Sequence, residues 1–175
     1  MRANASHWQK EPGRRDPVAQ ALVEFALALP IFLLVVYGLL EAGRLIYAYA
    51  AVTTASREAV RYASAWGVNT AGKPQYQDCA GIRNAAKNVG FLLNLADTDI
   101  TIQYDIGTNT TLHSYCAPGT SVDTSANLQS GYRVAVNVRY HFSPILPFFL
   151  PFTQHDIASG PSRRTILGVI DLNKP

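Results

Sequence analysis

The sequence predicts an α+β protein: one long N-terminal helix, then a small domain of one further helix packed on an antiparallel sheet. Three observations carry that prediction. Residues 18 to 40 form an apolar run with a single charged residue, Glu24. From Leu45 to Trp66, small and apolar residues recur at three- and four-residue spacings. Two later stretches, 99–106 and 132–142, alternate apolar and polar residues as half-buried strands do.

The apolar run reads VAQALVEFALALPIFLLVVYGLL. At about 1.5 Å per residue it reaches roughly 35 Å, enough to cross a hydrocarbon core of about 30 Å. A core helix of a soluble protein would show a polar face, and residues 25 to 40 show none. Arg14 and Arg15 precede the run, and positive charge stays on the cytoplasmic side, so the C-terminal part is expected to be translocated. A cleavable secretory signal has the same general form. Against it, the run exceeds the usual apolar core of about 7–15 residues, and no small-x-small site follows Leu40 directly. Ala42-Gly43 and Ala48-Tyr49-Ala50 fall within a continuing helical pattern.

Beyond Leu40 the pattern becomes amphipathic. Leu45, Ala48, Tyr49, Val52, Ala55, Ser56, Ala59, Ala63 and Trp66 share one face, with Arg57, Glu58 and Arg61 opposite. The spacing predicts one helix from about Gln20 to Trp66, ended by Gly67. Small residues on one stripe let a second backbone approach closely. That second element is either a neighbouring helix or the chain's own C-terminal domain. Pro30 removes one helical hydrogen bond and clashes with the carbonyl of Ala26, which predicts a kink or opening between them.

Residues 67–77 read as a polar linker, followed by a domain over 78–175. A helix is expected over 78–95, capped by Asp78, with Ile82, Ala85, Ala86, Val89, Leu92 and Leu93 mostly along one face. A last strand is expected over Thr165–Ile170, and a polar loop over 107–131. The segment Phe142–Phe152 strings bulky apolar residues between Pro144, Pro147 and Pro151 and can be neither a regular helix nor a central strand. It reads as a loop over the sheet or as an apolar lip against a membrane or a neighbouring subunit. Cys79 and Cys116 are the only cysteines. An even count on the translocated side suggests one disulfide, with free thiols or metal ligands as the alternatives.

The chemistry-bearing residues form no catalytic constellation. His7, His113, His141 and His155 are scattered, and the chain lacks the G-x-S-x-G, H-E-x-x-H, P-loop and C-x-x-C patterns. No cofactor is expected. A net charge of +3, with acids and bases interspersed, offers no basic stripe for nucleic acid.

Ala19-Gln-Ala-Leu-Val-Glu24-Phe25-Ala-Leu-Ala-Leu-Pro30, then the Leu/Val run, then Gly38-Leu-Leu-Glu41-Ala-Gly43-Arg44 closely resembles the N-terminal signature of TadE/TadG-like pseudopilins. These are relatives of type IV pilins associated with tight-adherence (Tad/Flp) pili. Thr54–Ala63 and, less densely, Val134–Pro147 also resemble that family. The resemblance implies a structural subunit of the bacterial cytoplasmic membrane, its C-terminal domain outside, that enters an extracellular filament. A prepilin peptidase would remove residues 1–19 by cutting between Ala19 and Gln20, leaving Glu24 as the fifth residue. Type IV pilins usually carry Gly before the cut; here the residue is Ala19, and Gly13 is out of register with Glu24. The partners so implied are copies of itself or other pilins, the peptidase, the pilus assembly machinery and the membrane.

Physical chemistry fits that role. A carboxylate in an apolar helix needs a partner. Cleavage would place an α-ammonium on Gln20, at the depth of the Glu24 of a neighbouring subunit. Phe25 and Pro30 belong to the same assembly segment. Glu41 shares a stripe with Leu45, Ala48, Val52 and Ala59, and in a bundle the Arg44 of a neighbour is its nearest expected partner. The contrasting reading is a monomeric membrane-tethered binding module, whose helix is only an anchor.

Overall fold

The computed structural model describes residues 17–107, 110–120, 128, 131–145 and 155–167. The first helix, α1, spans Pro17–Ser64. The chain divides into two compact units, Met1–Leu40 and Glu41–Pro175.

In the first unit the described chain is helical from Pro17 onward. Every side chain from Pro17 to Val35 is exposed, and mean hydropathy reaches 2.3 over an 18-residue window. This is a helix long and apolar enough to cross a membrane. The helix runs unbroken through Pro30, so the opening expected between Ala26 and Pro30 does not occur in the single chain. Proline removes one bond of the ladder, and the bonds on either side hold the turn.

The second unit is built on the remainder of α1. Ala48, Ala51, Val52, Ala55, Ser56, Ala59, Val60 and Ala63 are buried beneath the unit's own core. The small-residue stripe thus packs under its own domain, the intramolecular of the two uses that the sequence allows. Ser56 Oγ donates to the carbonyl of Val136 at 2.7 Å, which measures how near the sheet comes.

Helix α2 spans Cys79–Val89, and Asp78 caps it by accepting the N–H of Gly81 at 3.0 Å. The other oxygen of Asp78 accepts the Tyr62 hydroxyl at 2.9 Å, tying the end of α1 to the start of α2. A side chain at Gly81 would collide with both partners, so this junction requires glycine. The helix stops at Gly90, short of the expected residue 95, and a 3-10 turn over Phe91–Leu93 follows. That turn buries Leu93 and leaves Leu92 exposed.

Strand β1 (Ile100–Asp105) pairs antiparallel with β2 (Arg133–Phe142), Ile102 facing Val136. The far side of β2 is covered by β3 (His155–Ala158) and β4 (Ser162–Thr165), both antiparallel. Arg139 faces Ala158 and Val136 faces Ser162. Between these pairs Ser159, Gly160 and Pro161 oppose only Asn137 and Val138, so β3 and β4 form one edge broken by a bulge. Gly160 takes the positive φ of 69° that the bulge needs. The Ser159 hydroxyl accepts the N–H of Val138 at 3.1 Å, satisfying a donor that the bulge would otherwise orphan. The last strand therefore lies N-terminal to the expected Thr165–Ile170, of which 168–170 fall outside the described residues. Apolar content pointed to 165–170, whereas pairing was decided by β2, whose second edge over Arg133–Val136 takes up residues 162–165.

Cys79 and Cys116 form a disulfide, with Cα atoms 5.7 Å apart. Beside it Arg83, 2% exposed, donates to the carbonyls of Cys116, Ala117 and Thr120 at 2.7–3.1 Å. The loop 116–120 is thus bound to α2 by one covalent and three polar links. Residues 121–127 and 129–130 of the same loop lie outside the described residues.

Two predictions follow from these links. Replacing both cysteines by serine frees a chain segment with a sequence separation of 37. The loss is roughly 3–4 kcal/mol in the chain-entropy model, measurable as a lower denaturation midpoint under non-reducing conditions. The second concerns Tyr62, whose pKa is raised above its ordinary 10.0 by burial and by its bond to Asp78. A raised pKa means a contribution fully present below pH 10.0 and lost as pH climbs through the folded-state value. Tyr62→Phe is expected to cost about 1–2 kcal/mol at pH 7. The gap to wild type should close at strongly alkaline pH, and a gap independent of pH would show that the hydroxyl proton is not involved.

Candidate functional site

The expected functional residues lie in two places, one in each unit. In the first, Glu24 stands one helical turn after Gln20, whose Nε2 donates to Glu24 Oε1 at 3.0 Å. Both residues are exposed, as are Phe25 and Pro30. Ala19 and Gln20 are the third and fourth residues of α1. A chain starting at Gln20 would carry a new ammonium group one turn from the Glu24 carboxylate.

The second place is the opening of the outer unit. Glu41 is only 4% exposed, although it follows the apolar segment directly. Arg44 Nη1 donates to both of its carboxylate oxygens at 2.8–2.9 Å. The backbone N–H of Ile145 donates to Glu41 Oε1 at 3.0 Å, and the Arg44 guanidinium lies 5.2 Å from the centre of the Phe142 ring. The expectation was a Glu41–Arg44 pair between neighbouring copies. The structure forms the pair within one chain, three residues apart on one helix face. What the sequence did not reveal is the third member, the Ile145 amide, brought in from 104 residues away. Pro144 was the available signal, since a proline closes the strand just before that amide. Residues 146–152 of the Pro-rich segment lie outside the described residues.

A second residue escaped the sequence reading. Cys79, Ile82, Arg83 and Ala86 form the buried stripe of α2, so an arginine occupies an apolar position at i, i+3, i+4, i+7 spacing. A charge on that stripe announces backbone acceptors opposite it, here the 116–120 carbonyls. On the surface, the Arg61 hydrogen bond holds the Glu58 carboxyl below its usual range, and Lys87 does the same for Asp97. Both are screened pairs with little structural consequence. Among the described residues no three His, Cys, Asp or Glu side chains converge on a point where a metal could sit.

Residues 19–61 match the family model described as TadE-like protein. The match covers both places just described, apart from Phe142 and the Ile145 amide, and ends inside α1. No curated protein and no solved structure matches the chain. The family match and the apolar helix together fit a membrane-anchored, pilus-related protein.

The triad predicts how Glu41 variants behave. Glu41→Ala leaves the Ile145 amide and Arg44 without an acceptor and should cost about 2–3 kcal/mol, less than a fully buried pair because Arg44 is partly exposed. Glu41→Gln keeps an oxygen for Ile145 and should lose about half of that. Exchanging the charges, Glu41→Arg with Arg44→Glu, restores the pair but turns a cation toward the Ile145 N–H. Thermal unfolding of the exchanged protein should therefore stay well below wild type; full recovery would remove the amide from the account.

Proposed function

We propose that the protein is a pilin-like structural subunit of a Tad/type IV-like pilus, held in the membrane by the apolar part of α1 and assembled through that helix. The observation that carries this reading is the acid at Glu24, set in an apolar helix inside the segment that matches the TadE-like family. A plain anchor gains nothing from a carboxylate there, whereas an assembling helix gains a point charge that sets its axial offset against a neighbour. A prepilin peptidase would cut between Ala19 and Gln20 on the cytoplasmic side. The Gln20 ammonium of one subunit would then pair with Glu24 of the next, while Phe25 and the residues around Pro30 pack against neighbouring helices. Glu41 and Arg44, satisfied within the chain, would enter an assembly as a preformed unit. The outer unit would face away from the cytoplasm, following the positive charge at Arg14 and Arg15.

One observation favours the tethered-module reading instead. The small-residue stripe of α1 beyond Leu40 is occupied by its own domain and is not free to receive another helix. In an assembly, contact through α1 would have to come from residues 20–40 and from the uncovered face around Ile46, Tyr49 and Arg57.

The two readings part at Glu24. Glu24→Ala removes an acid from an apolar span and should ease insertion, by about 2–3 kcal/mol at most and less near the interface. The variant should be present in the membrane at or above wild-type level and be lost from the sheared extracellular fraction. Glu24→Gln, which keeps shape and hydrogen bonding without the charge, should fall between the two. Quantifying each variant in both fractions decides the matter. Wild-type release of Glu24→Ala into filaments would leave the tethered module as the surviving reading.

A further inference from the structure

The turn after α2 leaves two neighbouring large apolar side chains exposed. Phe91 and Leu92 are 70% and 65% exposed, and Ile145 is 65% exposed. Leu92 lines a groove of about 180 Å³ together with Arg44, Tyr47 and Phe142. Ile145 is bonded to Glu41, and Arg44 covers Phe142. Leu92, Phe142 and Ile145 therefore adjoin the first two turns of the outer unit, the turns that follow Leu40 in the chain.

Depth along the helix decides what they meet. At about 1.5 Å per residue, Arg44 lies roughly 6 Å and Tyr47 about 10 Å beyond Leu40. The headgroup layer flanking the hydrocarbon core is about 5–8 Å thick. A helix whose apolar segment fills the core thus carries Arg44 at headgroup depth and Tyr47 just beyond it. A cation, aromatic rings with polar tips, and exposed aliphatic side chains are the chemistry that this boundary favours.

We propose that the Phe91–Leu92 turn and Ile145 form an interfacial foot, which inserts at the headgroup–acyl boundary of the leaflet facing the outer unit, with Arg44 among the phosphates. The occupant is lipid because the patch continues, along the chain, the segment that needs lipid. The foot fixes the outer unit against the bilayer before assembly and has to leave the membrane when the subunit does. This rests on the membrane-anchored reading, and its test separates the two.

Full-length protein is reconstituted in vesicles of phosphatidylethanolamine and phosphatidylglycerol, with acyl chains brominated at either shallow or deep positions. Trp8 and Trp66 are replaced by phenylalanine, and single reporters are placed by Phe91→Trp or Phe32→Trp. The reporter at 91 should lose roughly half its fluorescence to shallow bromine and much less to deep bromine, as interfacial residues do. The reporter at 32 should respond chiefly to deep bromine. Adding Leu92→Asp should reduce quenching at 91 and leave 32 unchanged, with unfolding midpoints checking that each variant folds. Quenching at 32 with none at 91 overturns the foot and leaves the anchor standing. A blue-shifted reporter at 91 that ignores bromine and follows protein density would assign the face to a second copy and overturn the proposal. Silence at both positions removes the anchor and the foot together.

Discussion

How closely a sheet can lie on a helix depends on what stands between their backbones, and in the outer unit that is mostly alanine. Ala48, Ala51, Ala55, Ala59 and Ala63 place methyl groups where larger side chains would hold the sheet away. The closeness shows in Ser56, whose short side chain reaches the Val136 carbonyl directly. Val134, Val136 and Val138 can then be wholly buried on a strand that is central in the sheet. Because the alanines are spent inside the unit, the opposite face of α1 and the apolar segment before Leu40 are the helix surfaces left for other molecules.

Three buried charges of the outer unit meet backbone as well as, or instead of, another charge, while a fourth, Asp105, faces the side chains of Arg133 and Arg163. Glu41 takes an amide along with Arg44, Asp78 takes the Gly81 amide along with a tyrosine, and Arg83 takes carbonyls of its loop. Desolvating a charge is costly, and several aligned dipoles offset that cost without importing a second desolvated ion. These contacts also tie distant segments together: the β2 exit to the start of α1, the end of α1 to α2, and the 116–120 loop to α2. Each removes a way in which the sheet could slide along a smooth alanine stripe.

Glu24 and Glu41 illustrate how two acids on one helix diverge. Glu41 has its oxygens filled by its own chain and belongs to the architecture. Glu24 meets a neutral amide of its own first turn, in a segment with no domain of its own to bury it. A charge in that setting is where a second molecule has most to offer. That difference, more than the presence of an acid as such, separates the two residues: one is satisfied by its own fold and the other is exposed on an apolar helix.

What could be read from the sequence was whatever repeats within a few residues. Helix α1, β1, β2 and the Asp78 cap were legible because period and capping residues are local. Glu24 was legible because it is the one charge in an apolar run, and the cysteine pair because its count and compartment left few options. Tertiary structure decided the rest. β3 and β4 carry little alternation of their own and exist because β2 offers unpaired backbone. The end of α2 was set by a turn at Gly90, which sent Leu92 outward although helical spacing assigned it to the core. Glu41 found its partners in its own chain because folding brought Ile145 to it across 104 residues. Local spacing specifies which groups need partners. Only the closed fold specifies which partners arrive, since loop closure and packing are paid for by the whole unit at once.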